Sequence, residues 1–98
     1  MPKYLIEREL PGAGKLSRED LRGISEKWCG VLLETGPRIQ WIQSFVMNDR
    51  ITSIYIAPDA ESVREQARLE GIPADRISEI TDIIDPTTAE IVSNRGFS

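Results

Sequence analysis

The feature that most constrains the fold is the order in which strand-like and helix-like segments follow one another along 98 residues. Apolar residues recur with a period of two in the strand-like segments and with helical spacing in the others. Ser17 and Asp59 stand where helix N-caps are expected, and Gly36 and Gly71 follow the two helices. The pattern predicts strand, helix, strand, strand, helix and strand at residues 3–10, 17–35, 39–47, 51–57, 60–70 and 76–84.

This succession is the βαββαβ order of ferredoxin-like α+β domains. Right-handed crossovers bring both helices to the same face of the sheet, and they predict an antiparallel sheet with the spatial strand order 4-1-3-2. We therefore expect one domain over residues 1–86. Residues 87–98 lack a clear period, and we expect this C-terminal tail either to be mobile or to pack on a partner.

Composition excludes several classes of function. The chain has 12 basic and 16 acidic residues, a net charge of −4, and its basic residues form no run. Binding to nucleic acid or to anionic membranes is therefore not expected, because both need a basic surface. The chain also lacks the apolar run of a membrane span or a signal peptide, and its single cysteine, Cys29, cannot form an internal disulfide. We expect a cytoplasmic protein.

Alternation along the strands predicts how the two faces of the sheet differ. We expect the helix-covered face to carry the more uniformly aliphatic residues, namely Tyr4, Ile6, Ile42, Val46, Ile54, Ile56, Ile80 and Ile84. The opposite face then receives a mixture of aromatic, amide and carboxylate side chains, with Glu7, Glu9, Trp41, Gln43, Phe45, Ser53, Tyr55 and Glu79 as the predicted ligand-binding residues. Such a surface suits a dimer interface, a ligand cavity, or both.

Carboxylates on this second face are the candidates for chemistry. If Glu7 and Glu79 lie close together, repulsion and desolvation raise the pKa of at least one, and the pair can transfer a proton while Tyr55 binds a substrate oxygen. Glu7, Glu9 and Glu79 are also the candidate ligands for a hard cation. The alternative is that these carboxylates are solvated residues in salt bridges with arginines or a partner chain.

A set of motifs resembles the DUF4242 family, some of whose members are called nickel-binding proteins. The resemblance covers nearly all of residues 1–90 and rests on the segments MPKYLIERELPGAGKLS, CGVL, GPRIQWIQSF, YIAPD and RISEITDIIDPTTAE. It implies a ferredoxin-like fold that pairs sheet against sheet into a dimeric α+β barrel. It also implies a cytoplasmic bacterial setting and a small molecule or metal ion as the ligand.

The chain departs from the metal-binding members of that family. It carries Ser53, Glu9 and Gln66 where relatives often have cysteine or histidine, and it contains no histidine at all. A nickel site would then depend on carboxylates, backbone groups or the partner chain, which serve a borderline metal poorly.

The sequence leaves three functions open. The first is a homodimeric binding module with a small molecule or ion between its sheets. The second is a cofactor-free enzyme of the dimeric α+β barrel type, such as a monooxygenase, isomerase or cyclase, which would use Glu7 or Glu79 for proton transfer. The third is a structural dimer without a ligand.

Overall fold

The computed structural model describes residues 1–89, which form a four-stranded antiparallel sheet with two helices on one face. The elements follow the predicted βαββαβ order. The strands are β1 (Lys3–Glu9), β2 (Gln40–Val46), β3 (Arg50–Ile56) and β4 (Arg76–Ile80), and the helices are α1 (Arg18–Thr35) and α2 (Ala60–Leu69). Short 3-10 turns span Ala13–Lys15 and Pro86–Ala89. The predicted tail therefore begins within the second of these turns, and its residues 90–98 lie outside the described part of the chain.

Both helices begin at the predicted N-caps. The Ser17 hydroxyl accepts from the Asp20 backbone N–H at 3.0 Å, and the Asp20 carboxylate accepts from the Ser17 N–H at 3.1 Å. The sequence predicts only an imperfect capping box here, because aspartate stands in place of glutamate, yet both of its bonds are present. At α2, the Asp59 carboxylate accepts from the Ser62 N–H at 2.7 Å and holds the first turn.

The strands are arranged in the order β2-β3-β1-β4, which is the predicted order read from the other edge. In the central pair, Tyr4 lies opposite Tyr55 and Ile6 opposite Ser53. β4 extends this arrangement, with Ile77 opposite Ile6. The β2–β3 pairing shifts between Trp41 and Gln43, which marks a bulge.

The core lies between the sheet and the helices in two adjoining clusters. One contains Tyr4, Ile6, Tyr55, Ala57 and Val63, and the other contains Ala13, Trp28 and Ile51. We call the face of the sheet that the helices cover the helix side, and the opposite face the open face. The open face has no covering element within residues 1–89.

The predicted assignment of side chains to these faces is correct for β1 and wrong for much of the sheet. Ile54 and Ile56 alternate with the buried Tyr55 and therefore lie on the open face, and Ile80 joins them because it pairs with Lys3. The prediction for β3 fails because the helix side takes the mixed set Ile51, Ser53 and Tyr55, followed by Ala57, all of which are buried.

Two further assignments fail for local reasons. Ile42 lies at the β2 bulge and is half exposed rather than buried under the helices. The fourth strand ends at Ile80 rather than at residue 84, so Ile84 lies beyond it and is 78% exposed. Of the helices described, neither is long and apolar enough to cross a bilayer.

Candidate functional site

The residues predicted to form one binding surface are divided between the two faces of the sheet. Glu7, Glu9, Gln43 and Phe45 lie on the open face, as predicted. Trp41, Ser53, Tyr55 and Glu79 lie on the helix side, which corrects the prediction for those four. The sheet itself therefore separates the two groups, and no single cavity in this protomer contains them all.

On the open face, the carboxylates are held by arginines. Glu7 lies 3.4 Å from Arg50 and 3.9 Å from Arg76, and Glu9 lies 2.9 Å from Arg50. The Glu7 side chain is 26% exposed, whereas the Arg50 side chain is 45% exposed and Arg76 more so. Cross-strand pairing places Thr52 between Glu7 and Phe45, while Gln43 lies one row further along, opposite Ile54.

On the helix side, Trp41 and Ser53 belong to a chain of hydrogen bonds. The Trp41 indole N–H donates to Ser44 Oγ at 2.9 Å, and Ser44 Oγ lies 2.6 Å from Ser53 Oγ. Ser44 reaches this side because the bulge in β2 shifts the alternation after Trp41. The Trp41 ring also packs edge-to-face on Trp28 of α1, with ring centroids 5.3 Å apart.

The proposed proton-transfer pair is not assembled in the protomer. Glu79 lies opposite Tyr4 on the helix side, whereas Glu7 lies on the open face opposite Arg76. Burial, followed by the charges of Glu79 and Asp59, raises the pKa of Tyr4, which agrees with a carboxylate close to that phenol. Glu7 and Glu79 therefore cannot share a proton across this sheet.

Tyr55 belongs instead to a buried polar network on the helix side. Its hydroxyl donates to the Glu70 carboxylate, whose two oxygens lie 2.7 and 2.8 Å away. Arg8 Nη2 donates to Glu70 at 2.6 Å and to the Tyr55 oxygen at 3.3 Å. Gln66 Nε2 donates to the other Glu70 oxygen at 2.9 Å, and Thr35 Oγ1 lies 2.9 Å from Gln66 Oε1. The network thus links β1, β3 and both helices.

Burial and the Glu70 charge raise the pKa of Tyr55 well above its usual range, while Arg8 opposes the shift only partly. The phenol is therefore a fixed hydrogen-bond donor at physiological pH. It is not free to bind a substrate oxygen, which is the role that the sequence predicts for it.

Arg8 is fully buried, and its guanidinium carbon lies 4.2 Å from the centre of the Trp28 ring. This is cation–π geometry, and it compensates part of the cost of burying the charge. Two of its nitrogens, Nε and Nη1, have no hydrogen-bond partner among residues 1–89.

Arg8 and Glu70 were not predicted as members of the interior, although the sequence carries a signal for both. Arg8 follows Tyr4 and Ile6 at intervals of two, so the alternation already places it on the helix side. Glu70 follows Val63 and Gln66 at seven and four residues, on the same face of α2. Their charge, which is rare in a core, obscured a periodicity that was present.

The donor groups of this chain do not fit a nickel ion. Its sequence contains no histidine, and Cys29, its only cysteine, is exposed on α1. Glu7 and Glu9 are paired with arginines, and Glu79 lies on the other side of the sheet. Residues 1–89 contain no group of three or more cysteine or carboxylate side chains placed to hold a metal.

Comparison with known proteins adds three findings. A family model described as nickel responsive protein SCO4226-like matches residues 4–80. The fold is similar to the crystal structure of SCO4226 from Streptomyces coelicolor A3(2), with a TM-score of 0.70 and 16% sequence identity over 84% of this chain and 99% of that one. At this identity the similarity establishes the fold alone. No curated protein matches the chain. The more specific DUF4242 assignment stays a prediction.

Proposed function

The chain belongs to the SCO4226-like family, and from that premise we propose that it is a homodimeric binding module whose two open faces pack together and hold a small polar molecule between them. The observation that carries the proposal is the uncovered apolar surface of the sheet. Leu5, Ile54, Ile56 and Ile80 lie there half-buried, and Phe45 is 47% exposed. An uncovered sheet face with this many apolar side chains is typical of an interaction site.

A second copy of the chain is the partner that fits this face best. Its charges are arranged as local opposite pairs, Arg50 with Glu7 and Glu9, and Arg76 with Glu7. These paired groups can be covered without leaving a lone ion in the interface, while Lys3, at the end of β1, is the one charge of this face outside the ion pairs formed within residues 1–89. Two such faces related by a two-fold axis present the same paired groups to each other, as an isologous contact requires.

Polar side chains within this face favour a dimer that holds a ligand over a structural dimer without one. Gln43, on the edge strand β2, lies opposite the apolar Ile54, and Glu7, on the central strand β1, lies two residues from Leu5 on the same face. Polar groups that become buried on association need hydrogen-bond partners, which a facing sheet of the same composition supplies only in part. A small molecule with donor groups would complete those bonds. Nickel is not part of the proposal, because the donor groups do not fit it.

The dimer is tested by sedimentation velocity over a range of protein concentrations. We expect the wild type to be a dimer and Ile54→Asp to be monomeric with unchanged helix content, since the new charge lies at the centre of the open face. Leu33→Asp is the matched control, because Leu33 is an 86% exposed residue on α1, away from that face. A monomeric wild type, or an Ile54→Asp variant that still dimerises, contradicts the proposal.

The ligand is tested by thermal unfolding of the dimer against a panel of small polar metabolites and against nickel chloride. We expect one chemical class to raise the melting temperature, because a ligand that binds only the native state stabilises it. Glu7→Gln should lose that response and remain dimeric, while nickel chloride should have no effect. If no small molecule stabilises the dimer, the structural alternative without a ligand is correct.

A further inference from the structure

A separate cavity of about 190 Å³ lies on the helix side, between α1 and the β2 edge of the sheet. Its floor includes Trp28 and Ile51, which are buried, and its rim includes Arg18 and Val46, which are exposed. It is therefore a pocket with a closed base and an open mouth. None of its lining residues lies on the open face, so binding in this pocket does not depend on the proposed dimer.

Two tryptophans form an aromatic corner inside this pocket. Trp28 and Trp41 both line it, and their planes meet at 68° in an edge-to-face arrangement. Since Trp28 is buried and Arg8 covers one of its faces, a third ring placed in this corner packs mainly against the half-buried Trp41. The remaining walls are largely aliphatic and include Leu21 and Ile24. The interior thus favours a flat apolar group.

The mouth of the pocket is positively charged. Arg18 lines it, and Arg22 lies in an adjoining hollow that Arg18 also lines. Arg18 takes part in none of the ion pairs formed within residues 1–89, and the pocket lining contains no acidic residue. A guanidinium without a carboxylate partner at the rim of an apolar pocket is suited to binding the carboxylate of a ligand.

Two hydroxyls line the wall, and that of Ser25 already donates to the Leu21 carbonyl at 2.9 Å. Ser44 Oγ accepts from Trp41 and shares one proton with Ser53. When Ser53 is the donor of that pair, the proton of Ser44 is free to point into the pocket.

From these features we propose that the pocket binds a small monocyclic aromatic carboxylate, with its ring in the corner formed by Trp28 and Trp41 and its carboxylate at Arg18. The volume is adequate, because an apolar cavity of about 150 Å³ already holds a benzene ring. The site is distinct from the open face and lies on the other side of the sheet from it.

The test uses phenylacetate as the probe and the full chain as the protein. Trp28 and Trp41 are the two tryptophans of the sequence, so both indole N–H signals of a nitrogen–proton correlation spectrum report on this pocket. We expect saturable shifts of both signals below about 20 mM phenylacetate, a range set by the small number of atoms in the ligand. Phenylacetamide, which has the same ring without the charge, should bind about tenfold more weakly.

Variants distinguish the contribution of the Arg18 charge to phenylacetate affinity from that of the shape of the pocket. Arg18→Gln should remove the preference for phenylacetate over phenylacetamide, whereas Arg22→Gln, a neighbouring arginine outside the pocket lining, should change affinity by less than about twofold. Val46→Phe narrows the mouth at an exposed position and should abolish binding with Arg18 in place. Cyclohexylacetate, with the same charge but no aromatic ring, should bind severalfold more weakly than phenylacetate.

Three outcomes would overturn the proposal. The first is the absence of saturable shifts in the two indole signals. The second is phenylacetate affinity that is unchanged in Arg18→Gln. The third is equal binding of cyclohexylacetate, which would identify an aliphatic acid site instead.

Discussion

The two faces of the sheet use the same types of charged residue under opposite conditions. On the helix side, Arg8 and Glu70 are fully buried and lie 2.6 Å apart. On the open face, Arg50 lies 2.9 Å from Glu9, with both side chains about half exposed. The distances are similar, so geometry alone does not distinguish the pairs. Solvent does, because water screens the second pair and is excluded from the first.

This difference decides what each face can do. Since Arg8, Tyr55, Gln66 and Glu70 bond to one another, the helix-side network fixes the relation of both helices to the sheet. Such a connected interior group specifies one packing arrangement but leaves little freedom for catalysis. The open face keeps its polar groups accessible, and they can exchange their surface partners for those of another molecule.

Breaking the buried pair should give the largest effect. Glu70→Gln keeps the shape of the side chain but leaves the Arg8 charge uncompensated in the core, and we expect it to lower the free energy of unfolding by about 3–5 kcal/mol. Urea denaturation followed by circular dichroism measures the change.

Two controls test whether burial is the cause. Glu61→Gln removes one partner of an exposed pair with Arg64, whose charged atoms lie 3.6 Å apart, and it should leave the urea midpoint unchanged. The double variant Arg8→Met with Glu70→Met removes both charges and should recover part of the loss, because the Tyr55 hydroxyl and the Gln66 amide still lose their carboxylate acceptor. A Glu70→Gln variant as stable as the wild type would mean that solvent reaches this pair.

A matched pair of isoleucines tests the two faces through packing. Ile6 points to the helix side and is fully buried, whereas Ile54 lies on the open face and is only half-buried. We expect Ile6→Ala to cost about 2–5 kcal/mol and Ile54→Ala clearly less in dilute protein, measured by urea denaturation. If the open face is a dimer interface, the cost of Ile54→Ala should increase with protein concentration. Equal costs at every concentration would contradict the contrast between the faces.

The order of elements could be predicted from the sequence because each signal was local. Ser17 and Asp59 cap their helices and Gly36 has a positive φ of 95°, as the pattern of caps and stops indicates. The strand order then follows from the handedness of the crossovers. These inferences need no knowledge of which side of a strand is buried.

The candidate site could not be predicted where the face that a strand residue takes depends on packing. In β3, both sets of alternating residues contain isoleucines, so hydrophobicity does not choose between them. The choice is made by Ala57 and Ser53, which are small and fully buried on the helix side. In β2, the bulge after Trp41 reverses the alternation, and no local sequence feature indicates it. Half of the predicted ligand-binding residues therefore moved to the helix side.

Tyrosine ionisation probes the helix side by pH. Tyr4 and Tyr55 are the two tyrosines of the chain, and the pKa of each is raised above 10.0 in the folded state. The folded protein thus holds protons that the unfolded chain releases, so stability is intact below about pH 10 and is lost as pH rises further. Because Tyr55 ionises only in the unfolded chain over that range, it should reduce the free energy of unfolding by about 1.4 kcal/mol for each pH unit above 10.

Near-ultraviolet absorbance of the phenolate measures this directly. Little phenolate should form near pH 10 while circular dichroism remains native, and both tyrosines should titrate there in denaturant. Tyr55→Phe provides the control, because it should flatten the loss of stability above pH 10. If both phenols ionise at pH 10 in the folded state, the helix side does not shield Tyr4 and Tyr55 from solvent as the structure indicates.

The exposed ion pairs of the open face should give the smallest effect. Arg50→Gln removes the contacts of Arg50 with Glu7 and Glu9, and in dilute protein we expect a loss of less than about 1 kcal/mol that shrinks further at high salt. The measurement is urea denaturation at low and high ionic strength, repeated over a range of protein concentrations. A large, salt-resistant loss confined to high concentration would mean that a second chain covers this face and excludes water from Arg50. The pair would then behave as Arg8 and Glu70 do, and the contrast between the faces would hold for the monomer only.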